Sequence, residues 1–310
     1  MSTPLWPEIR AAKNGVFWEP VGTLFTVNGT MVADPFGPGY PGDVARALIE
    51  KADGLWIWQP IGYPAAVFPM GPSVRAGRHQ LISDINQRSG RIALSGYSQG
   101  AMVVDIVWRD DILSPSGSLH HRKDDVVAIV NFGDPMRCPG IANGNKYAGA
   151  APPTKAGWPF LPDTGWPTPE QVNLQHHTTG GIAGPGNLTP AQTPDFLLSF
   201  ANDGDLFACS PTGDDPWHHE TEVAKDERLI FDIVQNATPE TILAIAERVA
   251  KIVQRPLTEI VDMAQAIANG LVFASAGNQA PHWKYTIGWA VDYLIERGHQ
   301  LRERSTDISA

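Results

Sequence analysis

Arg91-Ile-Ala-Leu-Ser-Gly96-Tyr97-Ser98-Gln99-Gly100-Ala-Met-Val-Val104 is the stretch on which the fold turns. It sets a β-like run, a tight Gly-x-Ser-x-Gly turn and an apolar helical run in immediate succession. A serine hydroxyl is a poor nucleophile at neutral pH. To act, it must stand clear of a sheet within reach of a base, and a strand-turn-helix elbow holds it there. Gly96 and Gly100 admit a strained turn and let helix and strand pass closely. The helix start after Ser98 aims backbone N–H groups at any oxyanion developing beside it. Gly-x-Ser-x-Gly alone is a weak pattern, equally an ordinary turn; its place between a β run and a helix makes Ser98 a candidate nucleophile.

Working outward, residues 21 to 30 read as a first strand ending in a small-residue loop, and Leu55-Trp-Ile-Trp58 as the next. Residues 73 to 88 have helical spacing, 92 to 95 form the elbow strand, 100 to 109 its helix, and 126 to 131 a further buried strand. Strands alternating with helices imply a mostly parallel sheet covered on both faces, with ligands at the strand C-terminal ends. Residues 139 to 194 are rich in proline and glycine and read as a long irregular excursion, the kind of segment that usually carries function. Sheet pattern returns at Phe196-Leu-Leu-Ser-Phe200, followed by the turn-rich Asn202-Asp203-Gly204-Asp205. Three amphipathic helical segments are expected near 218–235, 239–254 and 256–269, with Pro239 and Pro256 at first helical positions. Thr286 to Arg304 reads as a terminal helix returning to the sheet. The expected division is a short extension (1–20), a catalytic α/β domain (21–212 and 279–310) and a helical insertion (213–278), which is core packing or a lid.

Composition limits the function classes. With 310 residues and 43% hydrophobic content, the chain can bury one large α/β domain. Its net charge of −10, with no Lys/Arg stripe, argues against a nucleic-acid partner. No apolar run approaches the roughly 20 residues of a membrane span. The start Met1-Ser-Thr-Pro-Leu-Trp-Pro carries prolines where a secretory leader has an apolar run, so synthesis in the cytoplasm without a signal is expected. Cys138 and Cys209 are too few for a disulfide framework; they are two buried thiols or one bridge near the sheet edge.

A nucleophilic Ser98 needs an imidazole to take its proton and a carboxylate to orient it, in the order Ser, Asp, His for this strand-turn-helix class. Asp205 follows a strand and is the preferred carboxylate, with Asp203 as rival because Asp-Gly suits a turn. Among nine histidines, the pairs His120-His121, His176-His177 and His218-His219 lack a third ligand at metal spacing and read as surface residues, as does His299. His282, in Ala280-Pro281-His282-Trp283, lies just before the last helix where a base-bearing loop belongs. The oxyanion needs two donors: the Gln99 N–H, and the loop Asn28-Gly29-Thr30, where Thr30 adds a hydroxyl. This chemistry calls for no metal and no cofactor.

Phe25-Thr-Val-Asn-Gly-Thr30, Trp58-Gln-Pro-Ile-Gly62, Tyr63-Pro-Ala-Ala-Val-Phe-Pro-Met70, Gly96-Tyr-Ser-Gln-Gly100, Gly133-Asp-Pro-Met-Arg137, Asp203-Gly-Asp205 and Pro281-His282 together resemble, in order, blocks of the mycobacteriophage lysin B esterases, relatives of the cutinases. The resemblance implies a cutinase-like α/β-hydrolase with a helical linker region. It further implies a mycolylarabinogalactan esterase that detaches the outer lipid layer of the host envelope during phage lysis and acts there after release from the cytoplasm. Carried over by position, it makes Ser98 the nucleophile, Asp205 the acid and His282 the base. Where members often carry His-Gly-Thr after the first strand, this chain has Asn28, and its proline-rich excursion looks longer.

The reading is therefore a serine ester hydrolase on a lipid-ester substrate, acting as a monomer, with Ser98, Asp205 and His282 as triad and Thr30 and Gln99 on the oxyanion. Its rivals are a cutinase-like lipase on shorter acyl esters and, from another class, a non-catalytic envelope-binding module that keeps the fold.

Overall fold

The computed structural model describes residues 19–52, 54–66, 70–157, 178–212, 215–217 and 280–304, the single positions 228, 231, 232 and 235, and the backbone alone of 12–13, 16–17 and 305–307. Short runs rich in β-branched and aromatic residues, which suit a pleated buried surface, supply five strands. They are β1 (Gly22–Val27), β2 (Trp56–Pro60), β3 (Arg91–Tyr97), β4 (Val126–Phe132) and β5 (Leu197–Phe200). All pair in parallel in the order β2-β1-β3-β4-β5. Gly96 on β3 stands between Val27 on β1 and Asn131 on β4, so the strand ends form one edge.

Parallel strands bury both faces, and successive side chains here divide into two cores. Phe25, Val27, Ile92, Leu94 and Ile129 pack with Leu81 and Ile85 of α2 (Met70–Asn86) and Val103 and Val104 of α3 (Gln99–Ile106). On the opposite face, Leu24, Ala93, Val130 and Leu198 meet Val44 and Leu48 of α1 (Tyr40–Lys51), together with Ala290, Val291 and Leu294 of the C-terminal helix. A five-residue helix, α4 (Asn143–Tyr147), precedes that helix, numbered α5 (Gly288–Asp307). Leu294 adds a polar tie: its carbonyl accepts from Trp56 Nε1 at 2.9 Å, fastening α5 to the edge strand β2. Each fully buried Leu, Ile or Phe contributes about 1.5–3 kcal/mol, so both helical layers are integral to the sheet.

The strand order reverses between β1 and β3, so the loops leaving these strands diverge to opposite faces and open a crevice at their C-terminal ends. Val27-Asn28-Gly29-Thr30 and Tyr97-Ser98 border that crevice.

The structure bears out the fold class and adjusts several local expectations. The helix after the elbow starts at Gln99 and widens into a π-helical turn over Val107–Leu113. The His120-His121 pair opens a 3-10 helix over His120–Asp125. Cys138 and Cys209 are free buried thiols. Each sulfur is turned to a carbonyl, Cys209 to Asn202 at 3.1 Å and Cys138 to Pro139 at 3.7 Å, so no bridge joins the two. The extension through residue 18, the helices expected at 239–254 and 256–269, and the pairs His176-His177 and His218-His219 lie outside the described residues, the two-residue backbone pieces aside. Within 213–278, Phe231 packs on Phe207 and Gln235 Nε2 reaches the Met70 sulfur at 2.9 Å.

Candidate active site

β3 delivers its chain to Ser98 with φ 52° and ψ −119°, a backbone region that favours glycine. The start of α3 and the end of β4 together hold this strained conformation. Gly100 passes so close to β1 that a Cβ there would lie 2.1 Å from the Val27 carbonyl oxygen, so only glycine lets α3 start here. Ser98 N donates to the Phe132 carbonyl at 3.0 Å, and its own carbonyl accepts from Met102 N at 3.1 Å, the first turn of α3. Ser98 thus projects at the sheet edge with the unpaired N–H groups of the helix start beside it.

Asp205 lies beyond the end of β5 and is completely buried; His282 is 3% exposed. Nδ1 of His282 stands 2.9 Å from both Asp205 oxygens. Asp205 Oδ1 also accepts from Phe207 N at 2.9 Å, and Oδ2 from the Tyr285 hydroxyl at 2.5 Å. Burial by itself pushes this carboxyl up, but His282, Tyr285 and the Phe207 N–H outweigh it and hold Asp205 below the usual carboxylate range. The rival Asp203 is turned outward, where its Oδ1 accepts from Thr154 N and Lys155 N at 3.0 Å each and pins a turn.

His282 is fixed from three further sides. The Tyr97 ring, from the residue before Ser98, stacks on the imidazole at 5.0 Å, and its hydroxyl donates to the His282 carbonyl at 2.9 Å. Phe207 packs at 5.1 Å. Gly133, at φ +54°, follows the Phe132 that accepts from Ser98 N; a Cβ there would stand 2.7 Å from His282 Cε1. Ser98, Gly133 and His282 are therefore near neighbours, and Asp205 lies behind His282.

On the β1 side, Thr30 is half-buried and Gln99 buried. The Gln99 amide donates to the Ala66 carbonyl at 2.9 Å and to Thr30 Oγ1 at 3.5 Å, and accepts from Ser73 Oγ at 2.9 Å. Asn28 is buried and reaches the Gly37 carbonyl at 3.4 Å, while its own carbonyl accepts from the Tyr63 hydroxyl at 2.7 Å. In this chain Asn28 ties down the loop that carries Thr30.

Several residues of this arrangement were not singled out by sequence reasoning. Tyr285 sits three residues after His282 and Tyr97 inside the elbow motif, but which aromatic ring turns toward the imidazole is a tertiary fact. Ser73 lies on a helix distant in sequence. Asp105 of α3 and Asp134 after β4 form a second buried carboxyl pair, held by Asn131 Nδ2 to Asp105 at 2.7 Å and Met136 N to Asp134 at 2.8 Å. Among the described residues, no group of three His, Cys, Asp or Glu is placed to hold a metal ion, and no helix is long and apolar enough to cross a membrane.

A 2-1-3-4-5 parallel sheet with a serine elbow after its third strand and an Asp-His pair at the same edge defines a cutinase-like α/β-hydrolase, and the cutinase family model matches residues 24–175. Endolysin B of Mycobacterium phage L5 is 33% identical over 273 residues, covering 84% of this chain and 92% of the relative. Endolysin B of Mycobacterium phage D29 is 34% identical over 275 residues, with the same coverage. The crystal structure of lysin B from mycobacteriophage D29 aligns with a TM-score of 0.66 at 33% identity, covering 89% of this chain and 99% of that one. The chain belongs to the endolysin B family. Family and fold together make it an esterase of the phage-lysis type.

Proposed function

We propose that the chain is a two-step serine esterase that cleaves the ester between mycolic acids and arabinogalactan in a mycobacterial-type envelope. The observation that carries the reading is the fully buried Asp205 bonded to His282 Nδ1, beside a serine in an elbow conformation. With Asp205 on Nδ1, the other ring nitrogen, Nε2, takes the Ser98 proton as Oγ attacks the acyl carbon. The tetrahedral oxyanion is met by the Gln99 N–H and the Thr30 hydroxyl. His282 then protonates the departing sugar oxygen, water attacks the acyl-enzyme by the reverse proton path, and free mycolic acid leaves.

The choice of this ester rests on kinship with endolysins B of phages that infect mycobacteria, and the chemistry needs no group beyond the side chains named. The test is release of free mycolic acids from mycolylarabinogalactan-rich cell wall, read by mass spectrometry, with wild type beside Ser98→Ala. Release by wild type alone is expected. Cleavage of short soluble esters without release from cell wall would favour a cutinase-like lipase. Failure of a fluorophosphonate probe to label Ser98 would favour a non-catalytic envelope-binding module.

A further inference from the structure

The Gln99 side chain lies within a ring of hydrogen bonds whose polarity is fixed by the backbone N–H and C=O of one residue, Ala66. Ala66 N donates to Ser73 Oγ at 3.0 Å. With one lone pair taken by that hydrogen bond, the Ser73 hydroxyl directs its own proton to Gln99 Oε1 at 2.9 Å. The other end of the amide must be the nitrogen, because Nε2 faces the Ala66 carbonyl oxygen, a pure acceptor, at 2.9 Å. No flip of the amide satisfies both contacts. The second Nε2 hydrogen then falls on Thr30 Oγ1 at 3.5 Å. A hydroxyl that accepts from the amide keeps its own proton for another acceptor. Ser73 is 3% and Gln99 1% exposed, so water does not compete for these bonds.

From this geometry we infer that Ser73 is a positioning residue for the esterase reaction: through the Gln99 amide it orients the Thr30 hydroxyl so that its proton points to the oxyanion. The inference rests on the proposed serine mechanism and adds to it. Gln99 acquires two roles, its backbone N–H as one oxyanion donor and its side chain as the orienter of the other. The Thr30 contact is long in the resting arrangement. It shortens as negative charge builds on the substrate oxygen, because a hydroxyl that is donating becomes a better acceptor. The stabilisation therefore appears in the transition state more than in the bound substrate, so kcat carries the effect and KM does not.

Ser73→Ala leaves Gln99 Oε1 without its donor and frees the amide to turn. With a p-nitrophenyl ester, kcat should fall about tenfold while KM stays within about twofold. Ser73→Cys, close in size and a weak donor, should lie between Ala and wild type. Thr30→Val, which removes the hydroxyl and keeps the shape, should lower kcat by about a hundredfold. In the Thr30→Val background, Ser73→Ala should have no further effect on kcat, a non-additivity that a merely structural role for Ser73 would not give. If Ser73→Ala is too unstable to assay, Gln99→Met removes the amide and keeps the backbone donor, and it carries the same comparison. Additive losses, an unchanged kcat in Ser73→Ala, or an unchanged kcat in Thr30→Val would each overturn the inference. Any of these alongside an inactive Ser98→Ala would leave the serine esterase reading standing, whereas an active, folded Ser98→Ala would remove that reading itself.

Discussion

At Ser98 the backbone is held in a region that costs a non-glycine residue about 1–3 kcal/mol. The elbow maintains it because Gly100 is locked over β1 and Ser98 N is committed to Phe132. Stability and activity are therefore opposed at this one residue. Ser98→Gly should raise unfolding stability by about 1–2 kcal/mol while abolishing ester turnover, and Ser98→Ala should abolish turnover with little gain, since alanine shares the strain. Thermal melts of the three proteins decide it, and a Gly variant no more stable than wild type would show that the elbow stores no strain. Tyr285 is the second residue with a separable effect. Its hydroxyl is one of the donors that keep Asp205 ionised against burial. Asp205 titrates below its unfolded value, so its contribution is complete above about pH 4 and is lost as pH falls through the folded pKa. Tyr285→Phe removes one donor and raises that folded pKa. Stability should be lower by about 1–2 kcal/mol at pH 7, and the acid loss of stability should begin at a higher pH than in wild type, as melts across the acid range would read. An unmoved acid transition would mean that His282 and the Phe207 N–H suffice.

Between α3 and the exit of β4 lies the Asp105–Asp134 pair, both fully buried. Burial first, and the neighbouring Asp134 second, push the Asp105 carboxyl well up, which favours its protonated form beside Asp134. The other charges facing the pair are Arg109 toward Asp105, and Arg137 and Asp205 toward Asp134. An acid raised in the folded state binds a proton that the unfolded chain releases from about pH 4 upward, so the fold loses stability as pH rises from there toward the raised pKa. Asp105→Asn keeps the acceptor for Asn131 and a donor for Asp134 but cannot titrate. Its stability relative to wild type should therefore improve as pH rises from about pH 4 toward the raised pKa, as melts across a pH series would read; a constant difference would show that Asp105 is not raised. The same helices and strands indicate what a sequence can convey. β1, β3 and α3 were legible because their apolar residues recur at strand or helix period and the elbow glycines punctuate them. α1 was not read, because Gly37-Pro-Gly-Tyr-Pro-Gly42 has the composition of a loop. Yet Pro41 fits the first helical turn, and Val44, Ala45 and Leu48 give a buried stripe. The Ser, Asp and His positions were readable from chain order, and Asp205 from its place after a strand. Tyr285, Ser73 and the buried Asp105–Asp134 pair were not, since each depends on which distant groups a buried side chain meets.

Across the whole molecule, one cation joins the pieces that sequence alone separates. Arg137 is among the largest fully buried side chains, at 1% exposure. Its Nε donates to the Ala208 carbonyl at 2.7 Å, Nη1 to Ile141 at 2.9 Å, and Nη2 to Thr179 Oγ1 at 2.7 Å. The guanidinium thus links the exit of β4, the approach to α4, the short ribbon formed by Thr179–Gly180 and Ser210–Pro211, and the loop that carries Asp205. A planar fork can hold three diverging acceptors, but a single ammonium on a flexible stem cannot. Arg137→Met leaves buried carbonyls without donors and should cost about 3–5 kcal/mol. If fork geometry is what matters, Arg137→Lys should recover little of that. If charge alone matters, Lys should restore most of it, because Asp134 still faces a cation. Activity separates the molecule's two demands on this residue. Below the melting temperature of the variants, loosening at Ala208 displaces Asp205, three residues earlier, and kcat should fall in both Met and Lys. A Lys variant with wild-type kcat and lowered stability would show instead that Phe207 N and Tyr285 hold Asp205 without help from the rest of the loop.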